Sequence, residues 1–347
     1  MKPRPIGYYV HHHGAGHRAR ADAIAKHIDC RLVLIGTGIG AAGLDLPDDR
    51  PLSGHFHGRD NAPCRPSALH YAPLDHDGVR ERVAVVASWI ASERPALMVV
   101  DVSVEIAMLA RLASVPTVYV RLNGERNDSA HLEAFRGATG ILAPFHSGLE
   151  SEATPAWVRA KSHYFPGITA TAAMKAPAVR RVLVVFGRGG LPGDGALVAV
   201  AASSCPDWQW RVIGPATETA SIPENLTFAG WVSSPECEIA RATVIVGAAG
   251  DGLIGAVMGA DRPFLCIPEN RPFAEQQVTA EGLRSLGAAI VVPGWPSGKQ
   301  WPALLERTLA LPPWGRRTLQ DADGARKAAA WLAAQAFQAS ICPEHAP

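Results

Sequence analysis

Excess charge is missing from this sequence. Its 33 Lys and Arg against 32 Asp and Glu leave a formal charge of +1 at pH 7, so no overall field favours nucleic acid or an anionic membrane. Cysteines are few as well: Cys30, Cys64, Cys205, Cys237, Cys266 and Cys342 stand apart. With no Cys-x-x-Cys pair, neither a zinc knuckle nor a disulfide framework is indicated, and a reducing, cytoplasmic setting is expected. No stretch approaches the roughly 20 apolar residues of a membrane span. The basic start is followed by too short an apolar run for a signal peptide, so a soluble protein is expected. His11, His12 and His13 lack a carboxylate or cysteine at ligand spacing, which points to structural or substrate-facing histidines rather than a metal site.

What is present is a chain of 347 residues, 48% hydrophobic, long enough for two domains. Apolar strand patterns alternate with helical ones, the signature of parallel sheets covered on both faces. In the first half, strands are expected at 6–11, 31–36, 69–73, 97–101, 117–121 and 140–144, with helices at 17–28, 79–92 and 105–113. The segment 41–67 reads as irregular loop with at most one short strand around His55. Periodicity lapses at 165–177, the expected link. A second series follows, with strands at 182–186, 209–213, 226–229, 243–246, 264–267 and 289–292, and helices at 195–204, 235–241, 253–259, 273–286 and 301–311. A last Ala-rich helix at 321–339 could pack on either half. The expected organisation is a first domain at 1–165, a second at 178–320 and a C-terminal helix and tail at 321–347. Two doubly wound halves would enclose a cleft at the carboxyl ends of their strands.

The richest stretch is VIVGAAGDGLIGAVMGADRPFLCIPENRPFAEQQVTA, ending at Ala280. A β-branched strand runs into a glycine-rich turn and a helix whose free N–H groups and positive dipole end suit a diphosphate. An ordinary β-α connection is the plainer reading. A second glycine turn, FGRGG at 186–190, follows the first strand of this half, with Arg188 either contacting phosphate or simply solvated. Near the N-terminus, YYVHHHGAGHRARADAIA lets Gly14 and Gly16 turn the chain before His17. Asp101 ends the strand LMVVD, where it would either orient His17 or cap the next helix. Glu105 is a weaker candidate base.

These motifs, over most of the chain, resemble the GT-B glycosyltransferases, in particular the branch of the peptidoglycan GlcNAc transferase and the UDP-glycosyltransferases. The resemblance implies an α/β GT-B fold, two Rossmann-like parallel-sheet domains facing a central cleft. It also implies transfer of a sugar from a nucleoside diphosphate, UDP first among them, to a small-molecule or lipid-linked acceptor. A lipid-linked acceptor would call for peripheral membrane contact. The nucleotide sugar is a co-substrate; no further cofactor, no metal and no nucleic-acid partner are implied. Carried onto this sequence, Trp231 and Val232 lie near the nucleobase, and Gly250, Asp251 and Gly252 meet the diphosphate together with Gly187, Arg188, Gly189 and Gly190. Glu275 and Gln276 face the sugar. His17, oriented by Asp101, deprotonates the acceptor, with inversion at the anomeric carbon, while His13, Gly16, Arg121 and Asn123 border the acceptor. The loop RLNGERND around Arg121 reads equally well as a solvated turn. Where the family carries a ribose-binding Glu this chain has Gly255, which leaves Glu269 and Asn270 as the polar residues at hand. A UDP-sugar hydrolase or epimerase of the same fold, and a sugar-nucleotide binding protein without turnover, stay open.

Overall fold

The computed structural model describes residues 4–12, 15–47, 65–169, 179–187, 190 and 192–341. Strands β1 (Ile6–Tyr9), β2 (Leu32–Gly36), β3 (Gly43–Asp45), β4 (Leu97–Asp101), β5 (Thr117–Val120), β6 (Gly140–Ala143) and β7 (Ser162–Tyr164) form a sheet in the order β3-β2-β1-β4-β5-β6-β7. Every pairing in it is parallel. Helices α1 (Ala15–Ala25), α2 (Asp77–Glu93), α3 (Val104–Leu112), α4 (Ser129–Gly137) and α5 (Ala156–Lys161) connect these strands.

A second parallel sheet has the order β10-β9-β8-β11-β12-β13. Its strands are β8 (Arg181–Val185), β9 (Gln209–Ile213), β10 (Leu226–Phe228), β11 (Val244–Gly247), β12 (Phe264–Cys266) and β13 (Ile290–Val291). Helices α6 (Gly195–Ser203), α7 (Pro235–Arg241), α8 (Asp251–Gly259), α9 (Glu275–Ser285), α10 (Trp301–Leu309) and α11 (Trp314–Thr318) accompany it. The chain ends in α12 (Gly324–Ile341).

Burial explains why these runs are strands. Leu97–Asp101 is buried at every position, as a central parallel strand covered on both faces must be. The last helix returns to the first lobe: Ala328, Ala329, Leu332 and Ala336 share a core with Ile6, Tyr8 and Val99. The lobes are also joined by a common core, in which Ala143, Phe145 and Leu149 pack with Ile245, Ile254 and Leu283.

The expected strand at 69–73 is not formed. The backbone N–H groups of His70 and Tyr71 instead donate to Glu105 Oε1, at 2.7 and 2.8 Å, which takes them out of any ladder. Glu105 thus organises a loop. The sheet gains β3 and β7, both three residues long, and α4, α5 and α11 add helices the periodicity did not reveal. The expected strand near His55 and part of the link lie outside the described residues.

Candidate active site at the interlobe cleft

In each sheet the chain order reverses beside the first strand, between β1 and β4 and between β8 and β11, and crevices open at such switch points. Register does the rest on the first lobe. Because Tyr9 pairs with Val100, Asp101 ends β4 one step further on, beside the first turn of α1. Val102 follows at φ 54°, a left-handed conformation unfavourable for a β-branched residue. Strain of this kind costs about 1–3 kcal/mol and collects at functional sites.

His17 Nδ1 lies 2.9 Å from Asp101 Oδ1. Asp101 has no solvent exposure. Arg20, one turn along α1, donates from Nε and Nη2 to the same carboxylate at 3.1–3.2 Å. Burial pushes the Asp101 carboxyl up, but Arg20 and then His17 outweigh it and hold the group below its ordinary value. An ionised carboxylate only accepts, so the network assigns the His17 proton to Nδ1. Arg20 Nη2, 3.0 Å from that nitrogen, is then a second donor aimed at Asp101. The other ring nitrogen, Nε2, has no hydrogen-bond partner among the described residues, and its lone pair is available to a proton.

Facing this triad is the start of α8. Its N-cap, Gly250, provides no side-chain cap. Asp251, the first helical residue, brings Oδ2 to 4.0 Å from Arg20 Nη1 across the cleft. Gly16, Arg20, Asp251, Gly252, Gly255 and Thr279 are among the residues around a narrow cavity of about 40 Å³. A Cβ added to Gly255, the position without the ribose-binding carboxylate, would lie 3.2 Å from Thr169 Oγ1. Thr169 of the first lobe's final segment therefore borders that space.

Arg121 and Asn123, expected at the acceptor, are buried and bonded within the protein. Arg121 is 1% exposed; its guanidinium pairs with Glu150 through both Nη atoms, Nη1 at 3.0 Å, and lies over the Phe145 ring. Fully buried Asn123 donates to Leu149 O at 2.8 Å and to Thr279 Oγ1 at 3.1 Å, which ties the lobes together. Both side chains are consumed by structure. Gly124 between the lobes has φ +114°, and a Cβ there would stand 2.7 Å from Phe273 O, so only glycine permits this approach. Close to it Arg126, also of the RLNGERND loop, donates to Glu275 Oε2 at 2.8 Å across the lobes.

Glu275 and Gln276, expected at the sugar, already have protein partners. Gln276 Oε1 accepts from Ala249 N and Glu269 N, which fastens the glycine turn to the end of β12. Glu269 itself pairs with Arg271 at 2.8 Å. Trp231 is 53% exposed, and Val232 packs against the core that the lobes share. Gly187 and Gly190 follow β8, and a Cβ on Gly190 would strike Glu269 Oε2 at 2.4 Å. His13, Arg188 and Gly189 lie outside the described residues.

One trio of metal-ligand type occurs among the described residues, His70, Asp128 and His131. Asp128 accepts from His131 N as the cap of α4 and lies 2.7 Å from His70 Nε2 and 2.6 Å from His131 Nδ1. Arg126 Nη1 is 3.2 Å from His131 Nε2, which makes that nitrogen the acceptor and puts the ring proton on Nδ1. The trio reads as a hydrogen-bond network built around Arg126. Burial, then Arg126, push the His131 imidazole down to about 4.

No protein-family profile and no curated protein matches the chain. Solved structures do. The chain is similar to the glycosyltransferase of kitacinnamycin, with TM-score 0.66 and 15% identity over 96% of this chain and 100% of that one. The chain has the GT-B fold. Glycosyltransferase VinC in complex with dTDP shares that fold at TM-score 0.64 and 15% identity, covering 96% and 100% of the two chains. MurG of Acinetobacter baumannii matches at TM-score 0.59 and 15% identity over 97% and 98%. These GT-B likenesses span both lobes, so the paired sheets and the cleft between them form one architecture.

Proposed function

We propose that this protein is a glycosyltransferase that moves a sugar from a nucleoside diphosphate to a hydroxyl-bearing acceptor. One observation carries the reading: a His17 ring held by a fully buried carboxylate at 2.9 Å, opposite the uncapped start of a helix in the other lobe. His17 Nε2 takes the acceptor proton as its oxygen attacks the anomeric carbon, and Asp101 stabilises the resulting imidazolium. The amides that open α8 meet the charge growing on the departing diphosphate. The reading needs no metal ion. A dTDP-bound neighbour supports a nucleotide at this cleft, and UDP remains the first nucleotide to try beside dTDP.

The test is a panel of UDP- and dTDP-sugars with and without hydroxyl acceptors. Donor consumed only when an acceptor is present supports transfer. Equal release of free sugar without any acceptor would replace it with the hydrolase reading.

A further inference from the structure

Arg20 and Asp101 satisfy one another, but Asp251 is left short. Its Oδ2 is shut off from solvent without a hydrogen-bond partner, and Arg20, 4.0 Å away, is already committed to Asp101. The charged groups facing it are His17 and Arg20 of α1, Asp101 at the end of β4, Arg126 after β5 and Glu275 at the start of α9. Asp251, Asp101 and Glu275 bring three carboxylates together around Arg20 and Arg126, with Arg271 beside Glu275, and crowding of buried like charges is relieved by holding a proton. Burial first, with Asp101 adding to it, pushes the Asp251 carboxyl up; burial and then Asp251 do the same to Glu275. Glu275 Oε2 already accepts from Arg126. Asp251 Oδ2 accepts from nothing, so the proton belongs to Asp251, whose side chain keeps 15% exposure.

We propose that Asp251 works as a neutral carboxylic acid that donates a hydrogen bond to a diphosphate oxygen at the start of α8, so that binding of a nucleoside diphosphate weakens once that proton is lost. The inference rests on the transferase reading above. As a carboxylate, Asp251 would set a like charge against the incoming anion; as an acid, it supplies an O–H donor between Gly250 and Gly252, which have no side chains to offer. The acid keeps its proton on binding, and no covalent bond is made or broken.

Calorimetry tests this with UDP and dTDP from about pH 8 upward, well above the last ionisation of a phosphate, in buffers of different ionisation heat. Wild type is expected to lose about tenfold in affinity per pH unit once pH passes the Asp251 pKa, with proton uptake rising toward one per nucleotide over that same range. Asp251→Asn, nearly isosteric, is expected to bind with no uptake and no pH dependence, and Asp251→Ser likewise. A pH dependence that survives in Asp251→Asn but disappears in Glu275→Gln or His17→Asn would overturn the assignment, as would wild-type affinity that stays level as pH rises. Failure of wild type and both Asp251 variants to bind either nucleotide would overturn the transferase reading along with it.

Discussion

On the first lobe, His17, Arg20 and Asp101 saturate one another with contacts of 2.9–3.2 Å. Across the cleft, Asp251 keeps an oxygen without a partner, and the start of α8 has no side-chain cap. The difference teaches which side is set before a ligand arrives. The first lobe fixes its imidazole by internal bonds and local strain, whereas the second leaves donors and an acid group for a ligand to complete.

Breaking the finished side should have the largest effect. Asp101→Asn is expected to lower turnover by about 10²–10⁴-fold, the usual worth of a positioned base, while nucleotide affinity measured by calorimetry stays within a few-fold. Unchanged turnover would separate Asp101 from the chemistry. Arg121→Met strands buried Glu150 and is expected to cost about 3–5 kcal/mol in denaturant unfolding, with the acceptor KM unaltered. A raised KM at full stability would return Arg121 to an acceptor pocket.

His131 sharpens the comparison through pH. Its ring is neutral in the fold down to about 4, whereas an unfolded histidine titrates near ~6.5. Between those values the unfolded chain binds the extra proton, so this contribution is complete above ~6.5 and is lost as pH falls toward about 4, by about 3 kcal/mol in all. His131→Phe should flatten that part of the stability-pH curve; an unchanged slope would contradict it. The smallest effect is expected from Val102→Gly, which relieves the left-handed strain beside Asp101. A gain of about 1 kcal/mol in unfolding free energy, with turnover down a few-fold, would show that the strain aims the carboxylate. A loss of stability would show that it does not.

Much of this was legible in the chain. A glycine turn before His17 and an acidic residue closing an apolar strand were enough to propose the dyad, because both features are local. Arg20 was not, since an arginine three residues along a helix looks like any solvated charge until Asp101, 81 residues away, is brought beneath it. The same distance hid the clasp of Arg126 with Glu275, whose partners belong to different lobes. Arg121 and Asn123 looked like cleft residues for a related reason: the motif RLNGERND is polar, and nothing local reveals that Glu150, Leu149 and Thr279 close over it. Glu105 gave up a strand by accepting two backbone donors, a choice no periodicity records. The second lobe's six strands were readable because each is a short apolar run between clear turns.

The most direct measurement is donor turnover by His17→Ala beside its nucleotide affinity. Binding close to wild type is expected, with turnover down by about 10²–10⁴-fold and the acceptor-dependent reaction lost. Wild-type turnover from the His17→Ala protein would contradict the role given to His17.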